Sequence, residues 1–296
     1  MHESIEKNIK KYHQEIPEGP HKNMMEKSLQ TIIERGLPHR KWENWKYTNP
    51  GSFFDKEINF FPSPQSIGLN TIQGEYLHRE SLIVFVDGIY SNELSQLPQG
   101  LSKEILEVKN LKDRSLGDEL NLSNDPLECF NLATLREISL FKITQSLKIP
   151  LTLLHVSTQE GSHSSTRAIF HIDENCEAEI LESSLQLKSG ERISNQVTNF
   201  FLNKNAKLKH ARYHYGNKES LEYSLSRVSL KRDAFYDYFG QNLNELMSRH
   251  EVSADLLTEN AEIHLNGLYA LKGDEHCDYF TDIYHKKSHT HSHQLF

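Results

Sequence analysis

The 296 residues carry 33 basic and 41 acidic side chains, a formal charge of −8, and 36% hydrophobic residues; even with Gly counted, the share stays below the roughly 45–50% of an average globular domain, which implies a thin or elongated core. The length holds one large domain or two ordinary ones. A negative balance without a basic run argues against nucleic acid as a main partner, and no stretch of about 18 apolar residues offers a membrane span.

The start, Met1-His2-Glu3-Ser4-Ile5-Glu6-Lys7, has charges where a secretory peptide has its apolar stretch. Cys129, Cys176 and Cys277 are odd in number and far apart, so they outline neither a disulfide framework nor a CxxC metal knuckle, and a reducing, cytoplasmic setting is expected.

From Glu3 to about Leu37 the text reads as helix, with Met24, Met25, Leu29, Ile32 and Ile33 at helical spacing and Gly36-Leu37-Pro38 as the stop. Next comes Arg40-Lys41-Trp42-Glu43-Asn44-Trp45-Lys46-Tyr47-Thr48-Asn49-Pro50, which holds both Trp of the chain. Aromatics among basic residues suit base stacking, or the packing of a connector onto a domain with its charges in water; the absence of other basic text nearby favours the connector. Residues 51–80 read mostly as loop. Leu82-Ile83-Val84-Phe85-Val86 is a buried-strand run that Asp87-Gly88 turns into Ile89-Tyr90 as a hairpin. Asp125-Pro126-Leu127-Glu128 has an N-cap, Pro at the first helical position and an acid at the third; that helix is expected to turn Phe130, Leu132, Leu135 and Ile138 inward.

After Ile149-Pro150 four segments superimpose: Glu174-Asn175-Cys176-Glu177-Ala178, Lys204-Asn205-Ala206-Lys207-Leu208, Arg232-Asp233-Ala234-Phe235-Tyr236 and Glu259-Asn260-Ala261-Glu262-Ile263. Their small residues are 30, 28 and 27 positions apart, with Ile172, Leu202, Leu230 or Leu257 four positions before each. Near-constant periods of this size mark a solenoid, whose units bury their apolar faces only by stacking. The flanks are strand text, so the expected fold is mainly β: a parallel β-helix over residues 141–296, preceded by residues 1–140 as an N-terminal region with an opening helical segment and mixed α/β text. Asn or Asp suits the corner because it tolerates left-handed geometry, and the small residue leaves room where coils stack. A thin core with two wet faces accounts for the low apolar share. An ordinary antiparallel sheet with coincidental Asn-Ala turns is the alternative.

Motifs of chemistry are sparse. No nucleotide loop or hydrolase elbow occurs, and His250-Glu251 lacks the second His of a zinc-protease motif because Ala254 stands there. His285, His289, His291 and His293 form the densest group of potential ligands; in a strand His289, His291 and His293 project from one face and become candidate metal ligands. Cys277, between His276 and Asp278, is a candidate thiolate beside an imidazole, without a partner identifiable by spacing. Asp274 and Glu275 form no separable acid–base pair. No catalytic residue emerges.

Gly36-Leu37-Pro38 with Arg40–Thr48, then Val84-Phe85-Val86-Asp87-Gly88-Ile89-Tyr90-Ser91, then Leu265-Asn266-Gly267-Leu268-Tyr269 leading to His285, Ser292 and Gln294 resemble the SufB/SufD family, from about Leu29 to the last residue, and the N-terminal motif favours the SufD branch. The resemblance implies a flattened right-handed β-helix and a non-enzymatic scaffold subunit of the SufBCD complex, with SufB-like and SufC-like partners; SufC is the ATPase. An iron–sulfur cluster and a flavin are implied only for the family complex. Family members continue beyond the equivalent of Gln294-Leu295-Phe296 with further coils, a Cys- and His-bearing segment tied to cluster assembly, and a helical domain that contacts the ATPase. The expectation is therefore a C-terminally truncated relative, with no cluster-site residue carried over and the ATPase contact in doubt. His285 and Gln294 match as scaffold positions. Two rival readings follow: a shortened protein that keeps the fold without the function, and a carbohydrate-active β-helix enzyme.

Overall fold

The computed structural model describes residues 3–54, 58–111, 120, 125–215, 219–243 and 246–296. Among them the strands form two sheets. One has eight: β1 (Leu82–Val86), β2 (Ile89–Tyr90), β5 (Leu151–Ser157), β7 (Glu177–Gln186), β9 (Lys207–Tyr215), β11 (Phe235–Leu243), β13 (Glu262–Ala270) and β15 (His291–Leu295). The other has seven: β3 (Leu101–Glu107), β4 (Glu137–Ile143), β6 (Ser162–Ile172), β8 (Arg192–Leu202), β10 (Ser220–Leu230), β12 (Met247–Leu256) and β14 (Cys277–His285). From β4 onward the chain alternates between the sheets, and from β6 onward each strand pairs in parallel with the strand two before it. The result is a β-solenoid of about five turns. The division expected at 140/141 falls inside β4, which pairs with β3 on one side and β6 on the other.

The corners follow from their sequence. Asn175, Asn205, Asp233 and Asn260 all have φ between 57° and 61°, a left-handed conformation that Asn and Asp enter more readily than other side chains. Their side chains form ladders, Asn205 Nδ2 donating to Asn175 Oδ1 at 2.9 Å and Asn260 Nδ2 to Asp233 Oδ1 at 3.0 Å. Cys176, Ala206, Ala234 and Ala261 beside them are buried. Asn205→Ala is expected to cost about 1–2 kcal/mol, the left-handed penalty of a Cβ without a local hydrogen bond, and Asn205→Gly distinctly less. Equal losses in urea unfolding midpoints would assign the cost to the ladder bond instead.

At the N-terminal end of the stack β1 and β2 form the expected antiparallel hairpin. Asp87 and Gly88 have φ of 48° and 85°, and a Cβ on Gly88 would stand 2.7 Å from Ser165 O. The buried Asp87 carboxylate accepts from Thr158 N at 2.8 Å and Thr158 Oγ1 at 2.5 Å, tying hairpin to coil.

The helical segment is two helices, α1 (Glu3–Gln14) and α2 (Pro20–Arg35), where one was expected. Pro17 and the Gly19-Pro20 step interrupt it, because Pro lacks an N–H and starts a helix rather than continuing one. The short α3 (Gly51–Phe54) precedes β1, and α4 (Pro126–Ala133) precedes β4, capped as its sequence requires: Asp125 Oδ1 accepts from Leu127 N and Glu128 N at 2.9 and 3.0 Å. The helix ends before Leu135, and Ile138 belongs to β4; both are buried all the same.

These helices explain why β8 and β10 are buried on both faces. Ile5, Ile9, Leu29, Ile32, Trp45 and Phe130 pack with Ile193, Val197, Leu221, Tyr223 and Leu225 on the outside of the seven-stranded sheet. Asn131 of α4 donates to Thr166 O and Asn195 O, and Glu128 is held by Arg167 at 2.7 Å and Arg227 at 2.5 Å. One of the two faces expected to be wet is thus roofed.

Candidate functional site

The inside of the solenoid is divided lengthwise. Towards the Asn corners it is apolar, with Phe141, Phe170 and Phe200 stacked at centroid distances of 4.8 and 5.5 Å. Towards the opposite rim the in-register columns are polar: Thr166, Gln196, Ser224 and His250 in one, Ser164, Ser194, Glu222 and Ser248 in the next. The facing sheet supplies Glu182, Arg212, His155, His214 and Asn242, all buried.

Arg212 stands at the centre. Its guanidinium reaches Glu182 Oε1 at 2.6 Å, Glu222 Oε1 at 2.5 Å and Gln196 Oε1 at 2.5 Å, the forked geometry in which a planar cation serves several acceptors at once. Glu182 also meets His155 Nε2 at 3.0 Å and His210 Nε2 at 2.9 Å, and Tyr236 Oη lies 2.8 Å from His210 Nδ1. Burial opposes the ionisation of Glu182, but Arg212 and the two imidazole contacts outweigh it and hold the carboxyl well below the usual range. Glu222 is likewise held low against its burial by His214 and Arg212. His250 goes the other way: burial, then Arg212, push it down to about 3. Ser224 Oγ at 2.6 Å from Nδ1 and Asn242 Nδ2 at 2.7 Å from Nε2 suit the neutral ring. The cluster can fix charge and hold protons, but its members are sealed from solvent and no substrate reaches them.

The Trp motif forms a seam on the outside of the seven-stranded sheet. Trp45 is 2% exposed, and the Arg249 guanidinium lies over its ring at 3.9 Å, a cation–π contact with the cation largely out of water. Thr48 Oγ1 donates to Asp278 Oδ2 at 2.6 Å and lies 2.9 Å from His276 Nε2; Arg249 pairs with Asp278 and with Glu251. A cavity of about 260 Å³ adjoins, lined by Trp45, Asp125, Arg227, Arg249, Glu251 and Phe280. Burial, then Asp125, raise Glu251 to about 7 despite Arg249. The motif is therefore a connector packed onto the solenoid, and Trp45 has no face left for a base. The same seam removes the thiolate reading of Cys277. Its neighbours His276 and Asp278 are turned to Thr48, and strand alternation places Cys277 on the face opposite Asp278.

The C-terminal histidines separate. His289 has φ 57°, and its carbonyl accepts from Asn260 N at 3.0 Å. It is a fifth corner residue rather than part of a strand, so it does not share a strand face with His291 and His293 as expected. Those two lie on β15, in register with Glu262 and His264 of β13. His285 Nδ1 and Nε2 meet Thr290 Oγ1 at 2.7 Å and Ser292 Oγ at 3.2 Å, and Thr281 Oγ1 donates to Gln294 Oε1 at 2.8 Å. Sequence reasoning missed Glu262 and His264, although Glu262 was already placed in the repeat. Carrying the period one copy further sets Ala261 against Thr290 and His264 against His293.

Residues 155–296 match the family model described as SUF system FeS cluster assembly, SufBD core domain. The iron-sulfur cluster assembly protein SufD of Escherichia coli (strain K12) is 26% identical over 279 residues, 90% of this chain and 63% of that protein. The chain thus spans under two thirds of the length of this relative. Among the described residues no helix is long and apolar enough to cross a membrane.

Proposed function

The chain belongs to the SufB/SufD family, and from that premise we propose that it is a SufD-like scaffold subunit of a SufBCD complex, assembling iron–sulfur clusters in the cytoplasm without catalytic chemistry of its own. The observation that carries the reading is the likeness to SufD over 90% of the chain, which extends beyond the solenoid into the N-terminal region. The sealed interior agrees with a scaffold: its charged groups are spent on one another. SufB-like and SufC-like subunits are the proposed partners. The iron–sulfur cluster and the flavin are assigned to the complex, and no residue of this chain is given to either.

The test is co-purification of the full chain with SufB-like and SufC-like proteins, together with iron–sulfur enzyme activity in cells lacking SufD. Stable co-purification and restored activity are expected. Failure of both overturns the scaffold reading, and complex formation without restored activity favours a subunit that keeps the fold and has lost the function.

A further inference from the structure

Four side chains project from the eight-stranded sheet where β13 and β15 lie side by side. The parallel register sets Glu262 beside His291 and His264 beside His293, and the two-residue period of strands puts all four on one face. It is the outer face, because Ile263 and Leu265, which alternate with them, are fully buried. Three of the four converge. Glu262 Oε1 lies 2.7 Å from His264 Nε2; the His264 and His293 rings stand edge to face with centroids 4.8 Å apart; and one ligand atom from each of Glu262, His264 and His293 lies within 4.8 Å of the other two. The Phe235 ring closes edge-on against His264 at 5.0 Å, so this imidazole is oriented from two sides.

We infer that Glu262, His264 and His293 form a binding site for a divalent first-row transition ion of the zinc class. Two imidazoles and one carboxylate are the donor set that suits Zn²⁺, Co²⁺ or Ni²⁺, whereas Ca²⁺ and Mg²⁺ take oxygen ligands. Around a tetrahedral zinc with bonds of about 2.0–2.1 Å, ligand atoms stand roughly 3.4 Å apart, so the present spacing closes by rotation of side chains on a fixed backbone. The approach is open: the Glu262 and His264 side chains are 39% and 34% exposed, and His293 is exposed. Electrostatics agree. Asp237 is in register between His264 and Lys209, which leaves that cation two strands, roughly 10 Å, from the site. The site is made by this chain alone and does not rest on the scaffold role.

The experiment uses the full chain without a histidine tag, titrated with Zn²⁺ alone by calorimetry and with Co²⁺ by visible absorption. One tight site per chain is expected. His264→Asn and His293→Asn should each weaken Zn²⁺ at that site by about 30-fold or more, and Glu262→Gln by about tenfold. His289→Asn, which keeps a residue suited to the left-handed corner, should leave affinity within about twofold. In the unsubstituted chain, Zn²⁺ should shift the imidazole C–H resonances of His264 and His293 together, a readout that needs no variant to fold. Absence of a tight site, unchanged affinity in His264→Asn and His293→Asn, or an equal loss in His289→Asn overturns the assignment.

Discussion

Replacing Arg212 with Met should lower stability by about 3–5 kcal/mol, a large part of the roughly 5–15 kcal/mol that separates folded from unfolded chains. The cost comes from what is left behind. Glu182 and Glu222 each lie within 2.6 Å of the guanidinium and are fully sealed, so without it two carboxylates face each other with no cation between them and no water to solvate them. Arg212→Lys should recover only part of the loss, because a single ammonium cannot fork to two carboxylates and Gln196 at once. Adding Glu182→Gln and Glu222→Gln to Arg212→Met should restore most of it, since removing a whole buried charge set costs far less than removing one member. Urea unfolding at neutral pH measures all three. Arg212→Met within about 1 kcal/mol of the parent would show that the cluster is solvated and the assigned burial wrong.

This cluster also shows where the sequence became unreadable. The corners were legible because their demands are local: a residue that accepts positive φ, followed at once by one small enough to stack, repeated at Asn175, Asn205, Asp233 and Asn260. The hairpin at Asp87-Gly88 and the cap at Asp125 were legible for the same reason. Glu182, Arg212 and Glu222 come from three strands in two sheets, and polar residues at alternate strand positions read as a solvent-facing row. The low apolar share therefore has two causes that composition cannot separate. Half of the interior is polar, and the outer face that should have been wet on β8 and β10 is covered by helices. Register resolves the ambiguity, because a slip of one residue would turn every member of the cluster outward. His264 was hidden in a related way: its partner lies 29 residues later, next to it only after one full turn of the solenoid, and the run at His289, His291 and His293 drew the eye along the chain instead of across the sheet.

The second large effect is the contribution of two buried histidines to the pH dependence of stability, well above the carboxylate range. His250 and His163 are both pushed down to about 3, in each case first by burial. His250 faces Arg212, Glu222, His214 and Glu182; His163 lies against the Phe60 and Phe130 rings, with the charge of Arg136 adding to the depression. Unfolding releases both imidazoles to the ordinary value of about 6.5. Between pH 6.5 and 3 the unfolded chain then binds more protons than the folded one, so stability rises with pH across that window and falls as pH drops. At pH 5 each ring removes about 2 kcal/mol relative to pH 7.5. Glu182 and Glu222 act with the same sign only lower, below about pH 4.5, where unfolded carboxylates begin to take up protons. The two buried histidines thus contribute about 4 kcal/mol of loss between pH 7.5 and 5, while Glu251 and Glu137, both raised by burial to about 7, gain stability over the same interval, so the histidine part is read as the difference between parent and variants. His250→Gln and His163→Gln are each expected to change the difference between pH 7.5 and 5 by about 2 kcal/mol, half of the histidine contribution, whatever they cost at pH 7.5. Because the readout is a slope of unfolding free energy against pH rather than a single stability, a merely weakened variant cannot imitate the result. If the slope above pH 5 is the same in the double variant as in the parent, the two imidazoles are not held neutral by their burial.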